Sequence, residues 1–376
     1  MMTTDRRVSE DGIDRPVGLY IHIPFCVRKC NYCDFCSKSP VSGDFDRYFE
    51  RLEQEFFAYR RTPKILVDTV FIGGGTPSLL PPGYFTRLFD LIRITFDISS
   101  DAEITTEINP GTLTEQRALE YKAVGINRIS IGLQSIHENE LKKLGRIHTF
   151  DDFLSSYNLL SRLGFDNISV DLMYGIPDQT IESLEKTISC VTSLHPRHIS
   201  LYGLIIEDGT PFGKSWQSLA LPTEDEECDM YYHACDLLRG VGYGHYEISN
   251  YAIPGYECRH NLKYWNTDEY IGIGAAAHSF FEGKRYGNTR DIFDPIRDPN
   301  ADDESGADEY VMMRLRLSDG LSLSEYRKKF GVDFLVGRSE KLSLFSDHGL
   351  LTLDDEWVKL TERGFYVSNS ILSEIL

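Results

Sequence analysis

A run of closely spaced cysteines near the start of the chain offers the clearest metal-binding chemistry. Cys26, Cys30 and Cys33 have the spacing Cys-x3-Cys-x2-Cys. Three thiolates in one short loop can hold an iron–sulfur cube and leave one iron without a cysteine from this loop. Such an iron is a coordination site for a substrate or a cofactor. The alternatives are a zinc site completed by Cys36 and ordinary buried thiols, and Cys36 itself is read as a spare thiol, a packing residue or an occasional fourth ligand.

Polar residues and glycines follow the strand-like runs of the first half of the chain. The segment 73–77, Gly-Gly-Gly-Thr-Pro, follows the second run, and its glycines allow the backbone to approach a ligand closely. Later runs end in polar side chains. Each of these has a structural alternative as a hydrogen-bonded residue at a strand end. The polar residues are Glu107, Gln134 and Asp171, with Arg146 in a following loop.

The elements that must position these residues alternate between strands and helices. Six strands are predicted at 18–24, 69–72, 103–108, 128–133, 168–173 and 199–205, and helices at 46–59, 84–94, 113–124, 150–163 and 181–194. Thr112 with Glu115 resembles a capping box, and Gly164 is placed to end a helix. The alternation predicts an α/β fold with a partial (β/α)6 TIM-like barrel, whose chemistry gathers at the carboxyl ends of the strands.

The rest of the chain divides into smaller parts. An N-terminal arm is predicted at 1–16, the barrel at 17–207 and a Gly- and Tyr-rich extension at 208–290. An acidic linker and a small α+β module then occupy 291–376. Within this module, helices at 309–317, 324–330 and 337–347, a hairpin at 350–360 and a last helix favour a winged-helix-like unit.

Charge and composition exclude several classes of partner. The chain has 376 residues, 41% of them hydrophobic, and a formal net charge of -19, which repels nucleic-acid phosphates. The winged-helix-like module is acidic too, which favours a structural or protein-contact role over DNA binding. Neither an export signal nor an apolar run long enough for a transmembrane segment is present, so we expect a cytoplasmic protein with reduced thiols.

The cysteine loop resembles the cluster loop of the radical S-adenosylmethionine (SAM) superfamily. The segments around Glu107, Gln134, Arg146 and Asp171 are similar to those of its oxygen-independent coproporphyrinogen III oxidase-like branch. The resemblance implies a 4Fe–4S cluster on Cys26, Cys30 and Cys33, with exchangeable SAM at the open iron and an electron donor. It also implies the SAM-binding residues, which are Tyr20, Gly74, Gly75, Thr76, Glu107, Gln134, Arg146 and Asp171. His22, on the same strand face as Tyr20, is either functional or a packed histidine.

Two functions of that branch compete, namely porphyrinogen oxidase and haem chaperone. Without the resemblance, a histidine close to a tyrosine and a tryptophan, as His260 is to Tyr264 and Trp265, is more often a core or capping residue than a haem ligand. However, the segment His-Asn-x-x-Tyr-Trp is similar to the motif that carries the axial histidine in the haem chaperone group. This favours haem binding by His260, with Cys258 as a less favoured ligand.

The residues after the third cysteine also bear on this choice. The oxidases carry a cysteine where this chain has Phe35, and the next thiol here is Cys36, which weakens the oxidase assignment. The resemblance to the haem chaperone group implies haem and a haem-acceptor protein as partners, and we expect the acceptor to be a respiratory protein. Radical chemistry on another tetrapyrrole, with His260 assisting substrate binding, is the third alternative.

Overall fold

The protein is organised around one twelve-stranded sheet that curves into a partial barrel. The computed structural model describes residues 15–298, 303–304 and 306–376. Most of the arm predicted at 1–16 and part of the acidic linker lie outside the described residues. The first six strands are β1 (Val17–Ile23), β2 (Ile65–Gly74), β3 (Phe96–Ile108), β4 (Arg128–Gln134), β5 (Asn167–Tyr174) and β6 (His198–Gly203).

These six strands lie side by side in chain order and are all parallel. Their residues are largely buried, and every residue of β4 is buried, as expected for parallel strands with helices outside and side chains filling the barrel inside. The predicted α/β class and the partial (β/α)6 barrel are therefore confirmed.

Eight α-helices accompany these strands along the chain. Gly164 follows the end of the fifth helix with a left-handed φ of 75°, as predicted. The predicted cap at Thr112 is wrong, because Thr114 accepts the Arg117 N–H instead and Thr112 donates to the Asn109 carbonyl at 2.6 Å. The helices are α1 (Asp44–Ala58), α2 (Tyr84–Thr95), α3 (Glu115–Val124), α4 (Glu138–Leu144), α5 (Phe150–Arg162), α6 (Ile181–Thr192), α7 (Pro211–Ser215) and α8 (Glu224–Gly240).

The Gly- and Tyr-rich extension and the acidic linker add strands to both edges of the same sheet. One pair joins β6 in antiparallel fashion, while another strand pairs with β1 in parallel and leads into an antiparallel meander. Sequence patterning missed these strands because they are only two to four residues long. They are β7 (Gly244–Glu247), β8 (Asn250–Ala252), β9 (Tyr270–Ile273), β10 (His278–Phe281), β11 (Lys284–Gly287) and β12 (Asp303–Glu304).

A short helix, α9 (Arg259–Trp265), immediately precedes β9 in the chain. Because β9 runs parallel to β1, α9 lies at the end of the barrel where the strands begin. The cysteine loop lies at the opposite end, because it follows β1. We call the end with α9 the floor and the end with the cysteine loop the mouth.

The C-terminal domain has its own three-stranded antiparallel sheet, in the order β13-β15-β14. The predicted three helices followed by a hairpin are present, but the strand β13 was not predicted, and two helices follow the hairpin where one was predicted. None of the described helices is both long and apolar enough to cross a membrane. The elements are α10 (Ala307–Arg314), β13 (Leu321–Ser322), α11 (Leu323–Phe330), α12 (Ser339–Asp347), β14 (Leu351–Leu353), β15 (Trp357–Leu360), α13 (Glu362–Tyr366) and α14 (Ser368–Ile375).

Candidate cofactor site

The cysteine loop leaves the carboxyl end of β1 and is closed at its base by backbone hydrogen bonds. The Lys38 N–H donates to the Pro24 carbonyl at 2.9 Å, and the Cys26 N–H donates to the Lys38 carbonyl at 3.0 Å. Cys26, Cys30 and Cys33 are free thiols with partial exposure, as metal entry requires. The loop therefore presents three thiols from a base that the sheet holds in place.

The thiols of the cysteine loop are not gathered around a single-ion site in this conformation. Among the described residues, no three of the thiols in this loop lie within 4.8 Å of one another. A tetrahedral zinc ion would bring its thiolates to about 3.8 Å, since each Zn–S bond is about 2.3 Å, so the loop would have to contract to bind zinc. Cys36 is buried and donates its thiol to the Arg290 carbonyl at 3.3 Å, which gives it a packing role here.

The glycine segment packs tightly against the cysteine loop and β1. The N–H groups of Gly75 and Thr76 donate to the carbonyls of Ile23 and Phe25 at 2.8 and 2.7 Å. A Cβ on Gly75 would lie 2.7 Å from those carbonyl oxygens, and a Cβ on Gly74 would lie 2.3 Å from the His22 ring. The glycines thus permit the close approach of two backbone segments, and this approach sets the position of the cysteine loop.

Asn109 and Arg146 connect the glycine segment to the cysteines. The Asn109 amide donates to the Thr76 hydroxyl at 2.7 Å, and that hydroxyl lies 3.5 Å from the Cys26 sulfur. Arg146 donates to the Asn109 amide oxygen at 2.7 Å and lies 3.6 Å from the Cys30 sulfur. The Arg146 guanidinium thus contacts both the Asn109 amide and the Cys30 sulfur. Sequence reasoning did not assign a role to Asn109, although it directly follows β3, where polar residues converge at the mouth.

Two carboxyl groups face the inside of the barrel below the mouth. Glu107 accepts the Gly74 N–H at 3.0 Å, and Asp171 accepts the Ser130 hydroxyl at 3.0 Å. Removal from water, and then the Asp171 charge, raises the pKa of Glu107 to about 7. Burial also raises the pKa of Asp171. Near neutral pH Glu107 therefore exists in both its protonated and its charged form, so it can donate to or accept from a polar ligand.

Tyr20 and His22 lie on the same face of β1, as predicted, and their side chains are hydrogen-bonded to each other. The Tyr20 hydroxyl is 3.0 Å from His22 Nδ1, and His22 Nε2 is 2.7 Å from the Cys36 carbonyl. Burial lowers the pKa of His22, so the ring is neutral, and Nε2 donates to the carbonyl in that tautomer. His22 thus ties the far end of the cysteine loop to β1.

Gln134 shows the clearest mark of a missing binding partner. Its side-chain Oε1 is buried without a hydrogen-bond partner, and its backbone has a left-handed φ of 74°. An unpaired buried acceptor costs about 1–3 kcal/mol and left-handed backbone at a non-glycine residue about 1–3 kcal/mol more. This combination at the end of β4 fits a ligand that donates a hydrogen bond here. The polar donors and acceptors that SAM would need are therefore available at the mouth.

His260 lies at the floor of the barrel, away from these residues. Its Nδ1 is 2.8 Å from the Thr69 hydroxyl and its Nε2 is 2.7 Å from the Tyr264 hydroxyl. The ring is stacked on Phe71 with 5.3 Å between centroids, and 1% of the residue is exposed. Burial lowers its pKa to about 3, so the ring is neutral. Both ring nitrogens are occupied, and the residues present do not fit a haem iron at His260 in this conformation.

The floor is separated from the mouth by much of the barrel height. Thr69 is five residues before Gly74 on β2, which corresponds to about 17 Å at roughly 3.3 Å per residue. Glu103 fixes α9 there, because its carboxylate accepts the N–H groups of Arg259 and His260 at 3.0 and 3.1 Å. Cys258 is fully buried beside this carboxylate, with 3.5 Å between its sulfur and Glu103 Oε1. The structure thus brings together the predicted SAM-binding residues and the cysteines but not His260.

Two family models match separate parts of the chain. The family model for the radical SAM superfamily matches residues 20–191, and the model for the HemN C-terminal domain matches residues 303–367. Among solved structures, coproporphyrinogen III oxidase (HemN) from Escherichia coli superposes with a TM-score of 0.81 over 96% of this chain and 90% of that chain. At 23% identity, this likeness shows the fold alone.

Curated relatives show the family. The chain is 38% identical to the heme chaperone HemW of Escherichia coli over 96% of this chain and 98% of the relative. It is 34% identical to the Lactococcus lactis HemW, over 97% and 98%, and 35% identical to the Bacillus subtilis HemW, over 95% and 98%. With this similarity over nearly the full length of both chains, the protein belongs to the HemW family within the radical SAM superfamily.

Proposed function

We propose that this protein is a haem chaperone that carries a 4Fe–4S cluster and SAM at the mouth of its barrel and passes haem to an acceptor protein. The observation that carries the proposal is the similarity, over nearly the full chain, to relatives named as heme chaperones. The likeness to the oxidase concerns the fold and gives no separate support for porphyrinogen decarboxylation. The acceptor, an electron donor for the cluster and a cytoplasmic location belong to the same proposal.

Cys26, Cys30 and Cys33 would hold the cluster, and the residues around them would hold SAM. When bound, the reduced cluster supplies an electron that can cleave a carbon–sulfur bond of SAM. The residues of the chain bind SAM and hold it in position. Gln134 offers an unpaired acceptor, and Glu107, with its pKa raised to about 7, offers a group inside the barrel that can give or take a proton near neutral pH. The other proposed SAM-binding residues lie at the same mouth, which supports their proposed role. They are Tyr20, Gly74, Gly75, Thr76 and Arg146.

His260 is the proposed haem ligand, and its imidazole must change its contacts before it can bind iron. To bind iron, the imidazole must give up its hydrogen bond to Thr69 or to Tyr264 and leave its stack on Phe71. An exposed iron site also requires α9 to move from the floor, where Glu103 holds its first turn. The hydrogen bond from Tyr264 is the simplest one to remove experimentally.

A haem titration of the full-length protein tests this role. We expect His260→Ala to change the absorption spectrum of bound haem, and Tyr264→Phe to raise the rate of haem binding by freeing Nε2. His198 is a suitable control for the first variant, because it too is fully buried, with ring nitrogens 2.8 Å from Ser169 and 2.8 Å from Tyr246. Tyr270→Phe is the control for the second, since Tyr270 packs edge-on against Tyr264 without a hydrogen bond to His260.

The outcomes separate the alternatives. If His260→Ala and His198→Ala leave the haem spectrum equally unchanged, His260 is a structural residue and haem is bound elsewhere. If the protein also fails to pass haem to any apoprotein, and instead releases decarboxylated porphyrinogen in an anaerobic assay, it is an oxidase and the chaperone proposal is wrong.

A further inference from the structure

A second cluster of metal-ligand types lies far from the cysteine loop, where the C-terminal domain meets the barrel. Cys235 on α8, His245 on β7 and Glu362 at the start of α13 each offer one ligand atom, and these atoms lie within 4.8 Å of one another. The three residues come from three elements and are up to 127 positions apart in the chain. They form the only such group among the residues that the structure describes.

His245 provides a second and independent observation. Its Nε2 is buried and has no hydrogen-bond partner. The ring is fixed by stacking on Tyr251, with 4.2 Å between centroids and 13° between planes, and by Phe365 at 5.1 Å. Burial lowers the pKa of His245 to about 4, so the ring is neutral and Nε2 keeps its lone pair in one tautomer. A buried imidazole nitrogen without a partner is costly, and a metal ion would satisfy it.

The other two ligands are held in place by their own partners. The Cys235 sulfur is buried, 3.1 Å from the Tyr251 hydroxyl, which can donate to it once the thiol has lost its proton. Glu362 lies partly exposed and pairs with Arg239 on α8. Arg239 is itself largely exposed and also pairs with Asp236 at 2.8 Å, so it can leave Glu362 without losing every partner.

We propose that Cys235, His245 and Glu362 form a binding site for a zinc ion that joins the C-terminal domain to the barrel. One thiolate, one imidazole and one carboxylate are ligands that Zn²⁺ accepts, and a water molecule completes the tetrahedron. On binding, the Cys235 thiol releases its proton to solvent and Glu362 exchanges Arg239 for the metal. The ion thereby links α8, β7 and α13, and it adds to the packing of Tyr231 and Tyr366 at the same junction, where the ring centroids are 5.3 Å apart.

Cobalt titration of the full chain tests the proposal, because a Co²⁺–thiolate bond gives a charge-transfer band. The cluster cysteines would also bind Co²⁺, so Cys26, Cys30 and Cys33 are first changed to alanine. We expect this background to bind one equivalent of Co²⁺ with a thiolate band, and Zn²⁺ to displace it. Cys235→Ser removes the band, while His245→Gln weakens Co²⁺ binding because it removes one of the three ligands. Cys228→Ser is the matched control, because Cys228 is on the same helix but outside the group.

The Zn²⁺ affinity of Arg239 and Glu362 variants distinguishes a metal site from a purely structural role of Cys235, His245 and Glu362. Because Arg239 competes for Glu362, Arg239→Gln should bind Zn²⁺ more tightly, whereas Glu362→Gln should bind it more weakly. Zn²⁺ should also raise the Tm of the unsubstituted, cluster-loaded protein, a measurement that does not depend on the folding of any variant. Absence of a thiolate band in the cysteine-loop background, or Zn²⁺ affinity and Tm that do not respond to these substitutions, would overturn the proposal.

Discussion

The Glu107 side chain illustrates how the fold sets the chemistry of one residue. It lies inside the barrel, accepts the Gly74 N–H and faces Asp171. Its pKa of about 7 is above the usual value of 4.5 because burial and the neighbouring carboxylate both oppose the charged form. A strand-end carboxyl could be identified from sequence, but its pKa could not, because it depends on neighbours that come from other strands.

Glu107→Gln should therefore change how stability depends on pH. A raised folded-state pKa favours the folded protein at low pH, and this contribution is lost as pH rises from about 4.5 to about 7. The glutamine variant lacks this loss and should become more stable than the unsubstituted protein above pH 7, by at most about 3 kcal/mol. Urea denaturation between pH 5 and pH 8 measures the difference.

Glu138→Gln, in the first turn of α4, is the control, because Glu138 is exposed. Its stability curve should run parallel to that of the unsubstituted protein. If the Glu107→Gln curve is parallel as well, the carboxyl group does not titrate in the way proposed.

Gly74→Ala tests the close packing of the glycine segment. Gly74 has a φ of 106°, and a Cβ would overlap the His22 ring, so we expect a loss of about 2–5 kcal/mol from backbone strain and overpacking together. Gly43→Ala separates the cost of backbone strain from the cost of overpacking. Gly43 has a φ of 86° but no atom within 4 Å of its Cβ position, so only the strain of about 1–2 kcal/mol applies. Equal losses in urea denaturation would show that contact with His22 is unimportant.

At the scale of elements, α9 determines what lies at the floor of the barrel. The helix is held by Glu103, which accepts two N–H groups of its first turn, and by Lys263, which pairs with Asp68 at 2.9 Å. The chain continues from α9 into β9, which runs parallel to β1. The motif containing His260 was recognised in the sequence, but its place at the floor depends on β9, a strand too short to be predicted.

Glu103→Ala should destabilise the floor strongly. It removes the acceptor for two N–H groups of α9, and each unsatisfied buried donor costs about 1–3 kcal/mol. It also removes one of the two carboxylates, Glu103 and Asp171, whose charges act on the buried Arg128. Glu103→Gln keeps one acceptor and should cost less. Asp101→Ala, at an exposed position on the same strand, should cost less than about 1 kcal/mol. Thermal and urea unfolding compare the three, and similar values for Glu103→Ala and Asp101→Ala would contradict this role.

At the scale of the whole molecule, the barrel has two polar ends with different partners. The mouth combines free thiols, an unpaired amide oxygen and two carboxyl groups, while the floor has a neutral histidine whose hydrogen bonds are satisfied. Six parallel strands and the order of the C-terminal domain could be predicted, because periodicity and strand-end residues are local signals. The pairing of edge strands and the separation of His260 from the cysteines could not, because both arise from contacts between distant parts of the chain.

The central claim is that three thiolates hold a cluster with an iron open to SAM, and electron paramagnetic resonance of the reduced, anaerobically reconstituted protein tests it most directly. We predict a 4Fe–4S signal that changes when SAM is added, persists in Cys36→Ala and is lost in Cys30→Ala. A protein that takes up only zinc, a signal that SAM leaves unchanged, or a cluster that requires Cys36 would contradict the claim.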